Sequence, residues 1–167
     1  MSSAVLDSGP LVHLSELNAL DALNGFESLY VPSAVWKEVS QIRPDALTNQ
    51  SLRLQRVDTP TLDMRLVALA QSLSLDAGEL HALAVMSDHP TAIFLTDDAA
   101  ARLAAEEMGY TVHGTIGLLI RSARKKYRTR EEVLQMLRAL NQNSTLYIRL
   151  SLLQDVIQRV EEEWFPR

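Results

Sequence analysis

Five carboxylates, Asp7, Glu38, Glu79, Asp97 and Asp98, occupy positions from which a fold could gather them around a cation. Asp7 closes the apolar run Ala4-Val5-Leu6, and Asp97 with Asp98 closes Ala92-Ile93-Phe94-Leu95. In an open parallel sheet, ligands bind beyond the carboxyl ends of strands, where the following helices point their positive N-termini. Each acid also suits a helix N-cap, but two adjacent aspartates need only one cap between them. Glu38 lies about 70° from the centre of the stripe Val35, Val39, Ile42, flanking the buried face, whereas Lys37 falls on the far side. Glu79 shares a helical face with Leu83 and Met86, and with Asp76 it also has the spacing of a capping box. Gly78 between them costs a helix about 1 kcal/mol against Ala, which hints that the backbone there approaches something closely.

If these acids converge, two like charges about 4 Å apart cost about 4 kcal/mol at an effective dielectric near 20, so a cation must sit among them. The chain has no cysteine, and His13, His81, His89 and His113 are scattered and read as surface or satisfied residues. An all-oxygen donor set favours Mg²⁺ or Mn²⁺ over zinc. Such ions lower the pKa of a water, align it with phosphorus and neutralise the departing oxygen, which makes a phosphodiester the natural substrate. Arg121, Arg124, Lys125, Lys126, Arg128 and Arg130 fall in ten residues without an acid, so this segment carries +6 and the remainder −11. It reads either as a solvated helix end or as a phosphate track. Nine aromatic residues are too few to suggest a stacking platform.

The elements that must position these groups alternate. Strands are expected at Ala4–Leu6, Ser28–Val31, Leu54–Val57, Ala92–Leu95 and Tyr110–Val112. Helices are expected near Leu11–Leu17 and Leu17–Leu23, from Ser33 to about Gln41, from Thr59-Pro60 through Leu73, at Asp76–Ser87, Ala99–Met108 and Thr115–Lys126. Alternation of this kind predicts a three-layer α/β/α fold with a mainly parallel central sheet. Past Tyr127 the pattern is purely helical, with a Thr129/Glu132 capping box and an amphipathic stretch from about Ser151 to Glu163. We therefore expect a nuclease-like domain at 1–127 and a helical extension at 128–167 packed on that domain or on a partner. A net charge of −5, no cysteine, no uncharged stretch near the roughly 20 residues a bilayer needs, and no basic start resembling a signal peptide lead to the expectation of a soluble cytoplasmic protein.

The chain resembles the PIN-domain family, specifically the small bacterial and archaeal (VapC-like) branch often encoded as toxins of toxin–antitoxin pairs. The resemblance rests on Val5-Leu6-Asp7-Ser8-Gly9-Pro10-Leu11, Val31-Pro32-Ser33-Ala34-Val35-Trp36-Lys37-Glu38-Val39 and Asp76-Ala77-Gly78-Glu79-Leu80-His81-Ala82. It continues through Leu95-Thr96-Asp97-Asp98, Ala101-Arg102, Gly109 and Gly114-Thr115-Ile116-Gly117-Leu118-Leu119. It implies an Mg²⁺- or Mn²⁺-dependent ribonuclease with Asp7, Glu38, Glu79 and one or both of Asp97 and Asp98 on the metal. Asp7 and Asp97 would be the principal ligands, and Asp98 would cap the next helix. Ser8 and Thr96 would orient carboxylates, and Arg102 with Arg121, Arg124, Lys125 and Lys126 would contact RNA phosphates. It also implies a homodimer and a cognate antitoxin protein. Two positions depart from the pattern: Gly9 stands where the branch usually has serine, and Glu79 where the wider superfamily tends to use Asp.

Two other acidic-pocket folds fit poorly. A phosphoacceptor receiver needs a lysine where His113-Gly114-Thr115 stands, and a haloacid-dehalogenase-type phosphatase needs a second Asp where Gly9 stands. The stronger rival is a catalytically silent PIN-like module that serves protein interaction.

Overall fold

Ala4, Val5 and Leu6 are fully buried although successive strand side chains point to opposite faces, so the first strand is covered on both sides. The computed structural model describes residues 2–162. Five strands, β1 (Ser2–Leu6), β2 (Phe26–Pro32), β3 (Leu54–Val57), β4 (Ile93–Leu95) and β5 (Val112–His113), form one sheet in the order β3-β2-β1-β4-β5. Every pairing among the described residues is parallel. The chain winds outward from β1 to β3, then returns past β1 to build β4 and β5. The direction of winding therefore reverses between β1 and β4, and a crevice opens beyond their carboxyl ends. Asp7 and the Thr96-Asp97-Asp98 turn emerge there.

Nine α-helices flank the sheet among the described residues: α1 (Ser8–Glu16), α2 (Ser33–Ile42), α3 (Met64–Ser72), α4 (Ala77–Asp88), α5 (Ala99–Glu107), α6 (Thr115–Arg124), α7 (Arg130–Arg138), α8 (Leu140–Asn143) and α9 (Leu150–Glu162). One face of the sheet, through Ala4, Leu6, Leu29, Val31 and Leu95, packs in a single apolar cluster with α1, α2 and α6. Val133, Leu137, Leu153 and Val160 of α7 and α9 join that same cluster. Val5 and Phe94 of the other face pack with Leu66 of α3, Leu83 and Met86 of α4, and the alanines of α5. This is the expected three-layer α/β/α arrangement, and its sheet is wholly parallel.

Local chemistry moves several boundaries. Helix α3 starts at Met64, not at Thr59-Pro60, because Asp63 caps it by accepting from the Arg65 amide. Helix α1 begins directly at Ser8, since Pro10 is tolerated in a first turn that lacks amide partners. The expected helix at 17–23 is only a 3₁₀ turn, Leu20–Leu23, after Asn18 leaves the helical region at φ 53°. Strand β5 comes later than Tyr110–Val112 because the Tyr110 amide bonds back to Ala105 carbonyl and so belongs to the end of α5. Ile42 is 59% exposed, so the buried stripe of α2 is Val35 and Val39 alone. The Thr129/Glu132 capping box forms, and α9 runs to Glu162; the expected end at Glu163 lies outside the described residues. Among the described residues no helix is long and apolar enough to cross a membrane.

Candidate active site

Asp7 follows β1 at the crevice and is 4% exposed. Its Oδ1 accepts from the Ser8 amide at 2.8 Å and its Oδ2 from the Thr96 hydroxyl at 2.8 Å, so two donors hold a nearly buried carboxylate in one orientation. Burial pushes its pKa up to about 6, against the lowering effect of those bonds and with help from the charges of Asp76 and Glu38. Glu38 comes in from α2. Burial, then Asp76, raises its pKa, while a hydrogen bond from the Ser8 hydroxyl opposes them. The close backbone approach expected at Gly78 is to this residue: a Cβ there would stand 3.2 Å from Glu38 Oε2 and 3.3 Å from Asp76 Oδ1.

Glu79 and Asp76 form the capping box of α4, with Asp76 Oδ1 accepting from the Glu79 amide and Glu79 Oε2 from the Asp76 amide. Glu79 is still not an ordinary surface acid. Burial first, then the charges of Asp76, Asp98 and Asp7, raises its pKa to about 7 despite the capping bond. Asp98 caps α5 through the Ala101 amide, as expected, and its charge acts on Glu79. The acids that act on one another are therefore Asp7, Glu38, Asp76, Glu79 and Asp98. Asp76 was legible only as a cap, and the Asp-x-x-Glu spacing that revealed the cap was its one sequence signal.

Asp97 has both oxygens bonded within the fold. Its Oδ1 accepts from the Thr115 amide at 2.7 Å, while its Oδ2 accepts from the Thr115 hydroxyl at 2.6 Å and lies 2.7 Å from His13 Nδ1. Neighbouring aspartates thus bond to different elements, Asp98 to its own helix α5 and Asp97 to α6 and α1, which sequence spacing could not separate. His13, expected to be a satisfied or surface residue, is satisfied by this carboxylate.

Arg102 stands beside the turn, its guanidinium close to where a Gly114 Cβ would be. Together with Asp97, His113 and Gly114 it lines one end of a groove of about 740 Å³ whose floor includes Ile116 and Ile148. The basic segment lies elsewhere. The Arg121 guanidinium sits 4.2 Å from the centroid of Phe26, at the start of β2, and donates to the carbonyls of Ala22 and Asn24. Phe26 pairs with Ser2, about 16 Å of strand from Asp7 at 3.3 Å per residue. Arg128 makes a two-pronged pair with Asp21 at 2.8 and 2.5 Å and also donates to the Asn18 carbonyl; Arg130 donates to the Glu161 carbonyl. Arg124 is also partnered, while Lys125 and Lys126 are exposed. The segment therefore does not line the acidic crevice, and three of its arginines clamp the far end of the fold.

Among the described residues, no three His, Asp or Glu side chains stand in position to hold an ion. The donor chemistry nevertheless fits a hard divalent cation: carboxylate oxygens only, from buried Asp7, half-buried Glu38, Glu79 and Asp98 and exposed Asp76, with two proton affinities raised to about 6 and about 7. Burial is the first cause of both shifts, and the charges of neighbouring acids add to it.

A family model described as PIN domain matches residues 3–162, and the chain belongs to that family. PIN domains are generally nucleases, which makes the chain a member of a hydrolase family whose members typically use divalent metals. No curated protein matches it.

Proposed function

We propose that this chain is a metal-dependent endoribonuclease of the toxin-like PIN branch, hydrolysing RNA phosphodiester bonds. The observation that carries the reading is a nearly buried Asp7 beyond the carboxyl end of β1 that feels the charges of Asp76 and Glu38, with Glu79 feeling those of Asp76, Asp98 and Asp7. Asp7, Glu38, Glu79 and Asp98 would hold Mg²⁺ or Mn²⁺, and Asp76 would add to the field that attracts it. When bound, such an ion supplies an acidified water and neutralises the departing oxygen. The chain supplies orientation. Thr96 and the Ser8 amide fix Asp7, the Ser8 hydroxyl fixes Glu38, and Arg102, in the groove beside Asp97, would bind a backbone phosphate. Asp97 would act through the turn it anchors. A protein antitoxin and a homodimer complete the proposal, and both are supported by the ordered motifs that mark the branch.

A second reading, a silent module that binds a protein, is favoured by one observation: Glu79 and Asp98 are each occupied in capping a helix. RNA cleavage by the purified chain with Mg²⁺ or Mn²⁺, beside Asp7→Asn protein prepared identically, separates the two. Cleavage by the native chain alone is expected. Equal cleavage by both removes Asp7 from the chemistry, and absence of cleavage in both favours the silent module.

A further inference from the structure

Asp97 receives more than a helix cap requires. Gly114, the N-cap of α6, has no side chain to bond the first amides, and Asp97 Oδ1 takes over by accepting from the Thr115 amide. That explains one oxygen. The other takes the Thr115 hydroxyl and His13 Nδ1, at 2.6 and 2.7 Å, short bonds to a carboxylate that is 11% exposed. Two glycines leave the seat for it: a Cβ on Gly114 would stand 2.7 Å from Asp97 Oδ1, and one on Gly9 would stand 3.4 Å from Asp97 Cβ and 3.6 Å from His13 Cε1.

His13 and Ser8 belong to the same helix, and Asp97 and Thr96 to the same turn. The turn is therefore tied back twice: Thr96 to Asp7 at the end of β1, and Asp97 to His13 one helical turn past Gly9. The Asp98 amide donates to Thr96 Oγ1 at 3.1 Å, so the placement of Asp98 depends on the same turn. We infer that His13 is a positioning residue: by donating from Nδ1 to Asp97 it holds the Thr96–Asp98 turn so that Thr96 bonds Asp7 and the Asp98 amide keeps its bond to Thr96. The inference rests on the nuclease reading for its effect on catalysis, though not for its geometry. Fixing a ligand's orientation through a neighbour's hydrogen bond is a recurrent device at metal sites, and removing such a partner costs roughly 10–100-fold in affinity or activity.

The test uses three substitutions in the full chain. Asn places its amide nitrogen where histidine carries Nδ1, Gln places it near Nε2, and Ala removes both. In the metal-free chain, hydrogen exchange of the Asp98 amide is expected to quicken about tenfold in His13→Ala and His13→Gln, and to stay within twofold in His13→Asn. Mn²⁺ binding by calorimetry without RNA, and kcat with KM little changed, should fall about tenfold in the same two variants and recover in His13→Asn. Unchanged exchange at Asp98 in His13→Ala overturns the inference whatever the chain's activity. Recovery by Gln and not Asn also overturns it, because the other ring nitrogen would then be the working atom. Faster exchange at Asp98 in a chain whose native form neither binds Mn²⁺ nor cleaves upholds the positioning role and sinks the nuclease reading instead.

Discussion

The two ends of the sheet carry opposite charge and use it in opposite ways. At the carboxyl end, acids act on one another through their charge, and burial with that repulsion raises proton affinity at Asp7, Glu38 and Glu79. At the amino end, the arginines of the basic segment are consumed by the protein: Arg128 by Asp21, Arg121 by two carbonyls and the Phe26 ring. A charge that is paired on arrival stabilises the fold. A charge held unpaired in a crevice costs stability and stays available to a ligand. Sequence charge counts do not distinguish these uses, because a count records the sign of a side chain and not whether the fold pairs it.

The largest effect that can break this comparison is at Asp7. Asp7→Asn keeps the size and one acceptor for the Ser8 amide and removes a buried charge, so the melting temperature at neutral pH should hold or rise while RNA cleavage falls by about a thousandfold or more, and Mn²⁺ should no longer raise that temperature. Residual cleavage above a tenth of native would place the chemistry elsewhere. The opposite end should answer with stability and not activity. Arg128→Ala leaves Asp21 half-buried without its partner and is expected to cost about 2 kcal/mol, a fall of roughly 4–8 °C in melting temperature, with kcat per folded molecule unchanged.

A pH series sharpens the contrast. Folded Asp7 keeps its proton to about pH 6, whereas the unfolded group releases it near 3.8, so the folded state binds more protons between those values and stability declines as pH rises through them. The decline attributable to Asp7 is on the order of 3 kcal/mol, and Asp7→Asn should flatten it. Glu79, raised in the same direction to about 7, extends the decline toward neutrality. Stabilisation by Mn²⁺ should accordingly be larger at pH 7.5 than at pH 5, as read by melting temperature. The smallest expected effect is at the exposed lysines: Lys125→Ala with Lys126→Ala should change KM for RNA less than twofold. A larger rise, with a salt dependence shallower by about 0.7 per lysine lost, would return the segment to the substrate path.

Much of the site was legible because its residues mark element boundaries. Asp7 and Asp98 each follow a strand and Asp76 follows the turn after α3, and all three begin a helix; N-cap chemistry is local, so the sequence places them at the carboxyl ends of strands or at the start of α4. The interior alternation of Ala4, Val5 and Leu6 and the apolar run ending at Leu95 likewise reveal a sheet covered on both faces. The start of α3 and the end of α5 were harder to place, because a single capping bond at Asp63 or Tyr110 outweighs the hydrophobic period nearby.

The residue order of this chain determined by itself which side chains cap helices, which segments are buried strands, and that the protein is an α/β domain with acids at strand ends. Only the tertiary structure decided that Asp97 is bonded to Thr115 and His13, that the charge of Asp76 acts on Asp7, Glu38 and Glu79, and that Arg121 and Arg128 bond to the fold. Caps and strand periods depend on neighbours a few residues away. The direction of a carboxylate in a crevice depends on donors such as His13 and Thr115, which no local rule brings together.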